Sequence, residues 1–173
     1  MKNRFLIIFF ILSAFVVNAQ NKDVFDIARK GTVQEMKDLV KLKPDTINAV
    51  NSMGYTPLIL ACYRGNVEVA KFLMENAKDI NYNSSMGTAL MSVVYKGDLK
   101  MTQELIEHQA DINKADAVGT TPLIFATKLG NVEMIKLLLK YKANKALKDN
   151  EGKTAFEYAV FSKNQELINQ LKN

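Results

Sequence analysis

His108 is the one histidine and Cys62 the one cysteine of this 173-residue chain. A single imidazole leaves no histidine pair for acid–base work and no multi-histidine metal site. His108 lies in Glu107-His108-Gln109, at the end of a helical stretch, where a surface cation is mildly favoured. Cys62 follows Ala61 at a small, apolar position, so it reads as core packing, and no intramolecular disulfide can form. An exported thiol is open to oxidation, so a regulatory role for Cys62 stands as a second reading. The eight glycines sit singly in loops and build no phosphate cradle. The acidic residues alternate with basic ones along helical faces and show no isolated catalytic couple. Neither an enzyme nor a cofactor or metal site is therefore expected.

The elements of the chain repeat. Gly54-Tyr55-Thr56-Pro57-Leu58-Ile59-Leu60-Ala61 returns as Gly119-Thr120-Thr121-Pro122-Leu123-Ile124-Phe125-Ala126. Weaker copies read Met86-Gly87-Thr88-Ala89-Leu90 and Gly152-Lys153-Thr154-Ala155-Phe156. The threonines stand at 56, 88, 121 and 154, a period of 32 or 33 residues. Such a period predicts a stack of small helical units, because one unit cannot bury its own apolar face. Each unit reads as turn, helix, short loop, second helix and extended return. Thr56 is a natural N-cap, Pro57 suits the first helical position, and Gly65 can end the helix. Leu58, Ala61 and Cys62 recur at helical spacing and should form one buried stripe. Asn66 can cap the second helix of its unit, Asp98 and Asn131 stand at the same place in theirs, and Thr32 with Glu35 fits a capping box. The last helix carries Lys163, Asn164, Gln165, Glu166, Asn169, Gln170 and Lys172, the polar outer face that a terminal unit needs.

The N-terminus carries a different signal. Met1-Lys2-Asn3-Arg4 is basic, Phe5 to Val17 is apolar except for Ser13, and Val17-Asn18-Ala19 places small residues before Gln20. That is the layout of a secretory signal peptide over residues 1–19, leaving a single domain at 20–173. Thirteen helical residues reach about 20 Å, short of the roughly 30 Å of bilayer hydrocarbon, so no stable membrane insertion is expected after cleavage. Loss of Lys2 and Arg4 would lower the formal charge of +5 by two. The remaining surplus suits solubility and an acidic partner surface, and it does not suggest nucleic acid. A leader without cysteine pairs points to a bacterial periplasmic or secreted protein, and a monomer is expected.

Thr-Pro-Leu opening a helix, small residues one turn later, glycine before the second helix and Ala110-Asp111-Ile112-Asn113 at the close resemble the ankyrin repeat. The resemblance covers residues 22 to 173. It implies an all-α solenoid of about five helix-turn-helix units joined by β-turn-like loops. The units are placed at about 22–51, 52–83, 84–116, 117–149 and 150–173. Two departures are visible. The histidine usual after Thr-Pro-Leu is replaced by Ile59, Met91, Ile124 and Glu157. The glycine usual after the second helix is replaced by Pro44, Ala77, Gln109 and Lys142. Left-handed backbone is costly at Gln109 and Lys142 and closed to Pro44. The third unit is one residue short at its turn, with Gly87 shifted, so that turn should be the displaced one.

The resemblance also implies where a partner lies: along the concave face, on the turn tips and on the last two residues of each first helix. Carried over by position, these are Arg29-Lys30, Tyr63-Arg64, Tyr95-Lys96, Lys128-Leu129 and Phe161-Ser162, with Tyr55 among the turn tips. The tips run from Ser52 to Tyr55, at Ser84-Ser85, from Ala117 to Thr120 and from Asn150 to Lys153. Tyrosine and arginine are the side chains most enriched at binding hot spots. Two readings of these positions stand together, a basic and aromatic binding ladder and an ordinary solvated face. The expected function is exported recognition of another protein, as a scaffold or accessory subunit; an inhibitor or immunity protein blocking a toxin or protease is the alternative.

Overall fold

The computed structural model describes residues 22–172. The leader expected at 1–19 lies outside them. Among the described residues, no helix is long and apolar enough to cross a membrane.

Five helix pairs follow one another. They are α1 (Val24–Lys30) with α2 (Val33–Leu42), α3 (Pro57–Arg64) with α4 (Val67–Asn76), and α5 (Ala89–Lys96) with α6 (Leu99–Glu107). Then come α7 (Pro122–Lys128) with α8 (Val132–Lys140), and α9 (Ala155–Ser162) with α10 (Gln165–Leu171). The odd-numbered helices form one row, each packed on the next; the even-numbered helices form the second row. The fold is the all-α repeat solenoid that the period predicts.

The repeating threonines explain the start of each first helix. Thr56, Thr88, Thr121 and Thr154 have extended backbone, and each side chain accepts the N–H three residues on, from Ile59, Met91, Ile124 and Glu157. One orphan donor per helix is thus satisfied, worth about 1 kcal/mol each. Ala61, Val93, Ala126 and Ala159 then bring the first-row helices close, and all are essentially buried. Leu58, Leu90 and Leu123 fill the space between successive units, as does Cys62. Ile59, Met91 and Ile124, standing where the family has histidine, are buried too, so dispersion contacts occupy that site. Glu157 instead closes a capping box with Thr154.

Second helices are capped by Thr32, Asp98, Asn131 and Asn164. Asn66 departs from expectation. Its side chain makes no cap; Nδ2 donates to the carbonyls of Ile27, Ala28 and Gly31 at 3.3, 3.3 and 2.9 Å. It thereby satisfies the free carbonyl end of α1 and ties the first unit to the second. A second tie runs along the other side. Asn48, Asn81 and Asn113 accept the N–H of Lys78, Asp111 and Asn144 in the following unit, at 2.8, 2.7 and 2.8 Å.

Asn51, Asp116 and Asp149 build the turns. One side-chain oxygen of each accepts two backbone N–H groups, two and four residues on. The turn before α5 is different, as its missing residue requires. Ser84 and Gly87 exchange backbone hydrogen bonds of 3.1 and 3.0 Å, and the Ser84 hydroxyl replaces the carboxamide or carboxylate.

Gln109 and Lys142 do adopt left-handed backbone, at φ +67° and +63°. Ala77 stays extended at φ −72°, and Pro44 starts a short 3-10 turn, Pro44–Asn48. Lys163 also lies at φ +56°, where Gly65, Gly97 and Gly130 end the other first helices. Lys142→Gly and Lys163→Gly should each stabilise the array by about 1 kcal/mol. Chemical denaturation checks this, and an unchanged or lowered midpoint would show that neither residue is strained.

The polar end expected of the last unit is found on α10 only. On α9, Phe156 and Val160 are 37% and 48% exposed. Their counterparts in the inner units, Leu58, Leu90 and Leu123 with Cys62, Val94 and Thr127, are buried beneath the next helix pair.

Candidate functional site

The first-row helices end beside the turn tips, and a groove of about 380 Å3 opens between them over units one to four. Positions 60, 92, 125 and 158 are equivalent by repeat and hold Leu, Ser, Phe and Tyr. Ser92 is the small one, and it lines the groove together with Leu60 and Phe125. One helical turn further, Tyr63 and Tyr95 stand at equivalent places. Their rings stack 6.2 Å apart at 19°, and Tyr95 stacks on Phe125 at 6.2 Å and 12°. Three rings from three units thus form one ladder, with Tyr95 in the middle and 53% exposed. The opposite wall comes from the turns. Met53 and Met86 are 57% and 60% exposed, and the Tyr55 hydroxyl donates to the Met86 sulfur. Met91, beneath them, is buried against Gly87.

Cations border this apolar trough. The Arg64 guanidinium lies 5.8 Å from the Tyr63 ring, and Arg29 Nη1 is 3.2 Å from Asp26 Oδ1. Lys30 and Lys96 follow on the exposed helix ends. Among the described residues, Lys30, Arg64 and Lys96 have no ion-pair partner.

Of the expected partner-binding residues, the groove gathers Arg29, Tyr55, Tyr63, Arg64 and Tyr95. Lys30 and Lys96 lie beside it. Leu129 and Phe161 are exposed but lie outside its lining. Lys128 is engaged within the fold. Its ammonium sits 3.3 Å from Asp149 Oδ2 and 4.2 Å from the Tyr158 ring. Met86, Ser92 and Phe125 belong to the lining without having been singled out as partner-binding. Their signal was available: they stand in the repeating block itself, Ser92 and Phe125 one turn before the Tyr95 and Lys128 positions.

Among the described residues, Asp149 is the one strongly perturbed carboxyl. The Tyr158 hydroxyl donates to it, and burial is outweighed by that bond, by the N–H of Lys153, by Lys128 and by the N–H of Glu151. Together they hold it at about 2 against an ordinary 3.8. Burial works against the Lys128 charge, but Tyr158 and Asp149 overcome it and raise the ammonium pKa. A depressed carboxyl contributes stability above its unfolded pKa and loses it as pH falls through the folded value. Asp149→Asn should therefore lower Tm at pH 7, with the difference from the natural chain shrinking below about 3.8 and gone only below about pH 2. A Tm-against-pH series checks this, and a constant offset would contradict it. Nothing in the cluster faces the groove, so its role is to fix the turn between units four and five.

Cys62 is buried, and burial first, then Asp98, pushes its thiol up to about 12, so it stays protonated and unreactive. His108 is exposed at the end of α6, with Nδ1 2.8 Å from the Glu104 carbonyl oxygen. Among the described residues, no three His, Cys, Asp or Glu side chains converge as a metal site.

Comparison with known proteins agrees with the geometry. A family model described as ankyrin repeats in three copies matches residues 24–116 and 90–173. The chain is similar to the ankyrin repeat and SAM domain-containing protein 6 of Rattus norvegicus, 32% identical over 138 residues, covering 80% of this chain and 12% of that protein. The Mus musculus protein of the same name matches to the same extent. The ankyrin repeat domain-containing protein 49 of Drosophila melanogaster is 42% identical over 43 residues, 25% of this chain and 20% of that protein. The chain thus spans only a small part of the length of these relatives.

Proposed function

Because the chain belongs to the ankyrin repeat family, whose repeats are protein–protein interaction modules, we propose that it binds one partner protein in the groove of units one to four. The ring ladder Tyr63–Tyr95–Phe125 carries this reading. Phe125 packs partly on the core, whereas Tyr63 and Tyr95 extend the ladder into water, where the fold leaves their faces uncovered. Preorganised rings lose little freedom on binding and supply large contact area. The family's fold is typically a non-catalytic binding module, and this chain acts by holding its partner, as a scaffold or accessory subunit in a 1:1 complex. The basic, apolar and small layout of residues 1–19 supports export, with the complex formed outside the cytoplasm.

Chemical crosslinking and affinity capture from the exported fraction tests the whole reading. The natural chain runs beside a variant carrying Arg64→Glu, Tyr95→Ala and Lys96→Glu, after both are shown to fold equally. A defined partner captured by the natural chain and lost from the variant is the expected outcome. A partner retained by the variant would move recognition to another face. Protein found only in the cytoplasm, with residues 1–19 still attached, would remove export.

A further inference from the structure

We infer that the groove takes an extended, acidic segment of the partner protein, with two apolar side chains two residues apart seated against the ring ladder. This rests on the concave-face reading above and adds the chemistry of the occupant. Successive rings stand 6.2 Å apart, twice in a row. An extended chain rises about 3.3 Å per residue, so its alternate side chains recur at roughly 6.6 Å on one face. Side chains at i and i+2 therefore meet consecutive rungs without stretching, while the residue between them points to solvent. Met53 and Met86 from the turns and Tyr63 and Tyr95 from the first-row helices line the same groove. The exposed thioethers adapt to the shape of whatever apolar group enters.

Charge sets the flanks. No lining residue of the groove is acidic, whereas Arg29 and Arg64 line it. Lys30 and Lys96 continue the positive edge on adjoining helix ends. Arg29 already has Asp26, so Lys30, Arg64 and Lys96 are the cations left to meet carboxylates from outside. Asp or Glu on either side of the apolar pair would reach them as charge-assisted hydrogen bonds. These rim contacts weaken as salt shortens the screening length to a few ångström near 1 M.

Selection of a random twelve-residue peptide library on the full immobilised chain tests this. Expected are enriched peptides with apolar residues at i and i+2 flanked by Asp or Glu. Their binding should fall at least about tenfold with Tyr95→Ala, with Arg64→Glu, and on raising NaCl from 0.1 to 0.5 M. Enriched peptides that lose binding with Tyr95→Ala but carry apolar residues at i and i+4, or basic flanks, would overturn this inference and leave the concave-face reading standing. Peptides indifferent to Tyr95→Ala would overturn both. Failure to enrich any sequence would overturn the linear-segment inference, and the capture experiment would then judge the face alone.

Discussion

Replacing Tyr95 with alanine should weaken the partner complex about thirtyfold or more, the loss of some 2 kcal/mol that marks an interface hot spot. Tyr95 is the central rung, and its removal leaves Tyr63 and Phe125 without a common neighbour. The aromatic wall of the groove is then interrupted at its midpoint. The cost to folding should be small, because the ring is half-exposed and the residues beneath it, Met91 and Val94, stay buried. The two stacked contacts, at the weak end of about 0.5–1.5 kcal/mol each because the central ring is half in water, are together worth about 1 kcal/mol. Isothermal titration against the captured partner, with a melting curve on each protein, separates the two effects. A variant that binds as tightly as the natural chain would remove Tyr95 from the interface.

The largest effect on stability is expected at Gly119. A Cβ there would lie 2.7 Å from the Asn150 side-chain oxygen, 2.8 Å from the Asn150 backbone nitrogen and 3.0 Å from Asp149 Cα. The Asn150 N–H donates to the Val118 carbonyl at 3.0 Å, so the backbone of one turn rests directly on the next. Gly119 also has φ +79°. Left-handed strain of about 1 kcal/mol and overpacking of 1–3 kcal/mol add to roughly 2–4 kcal/mol for Gly119→Ala. In a chain of this size that lowers Tm by about 5–15 °C. Gly54 provides the control: its φ is +82°, but nothing lies within 4 Å of its Cβ position. Gly54→Ala should therefore cost only about 1 kcal/mol. Equal losses at the two sites would show that backbone conformation, and not the approach of adjacent turns, governs both.

The repeat was legible because its signals are local. Thr56 with Pro57, Gly65 after Arg64, and Leu58, Ala61 and Cys62 at helical spacing each specify a cap, a stop or a buried stripe by themselves. The left-handed backbone at Gln109 and Lys142 was legible for the same reason, since the family's glycine marks the place. Lys163 escaped notice although it replaces Gly65, Gly97 and Gly130 at their own position in the period. Asn66 was misjudged because its partners, the carbonyls of α1, lie a full repeat away. The inter-unit bonds of Asn48, Asn81 and Asn113 were hidden likewise: a spacing near 30 residues does not say which backbone N–H a side chain reaches.

The groove was legible in part. Tyr63 and Tyr95 stand out as a recurring aromatic, and the ladder they form follows from that recurrence. Lys128 occupies the same position, yet Asp149, at the turn into the next unit, and Tyr158 of that unit draw it inward. Phe125 completes the ladder from one turn earlier, since its ring reaches across to Tyr95. What a repeat position displays thus depends on its neighbour unit, which the alignment of units does not contain.

Site-specific photo-crosslinking tests the central claim most directly. A benzoylphenylalanine would be placed at Met86, on the groove wall, and in a second protein at Lys136, on the exposed side of α8. The account predicts a partner adduct from position 86 and none from position 136. An adduct from position 136 alone would contradict recognition through the groove.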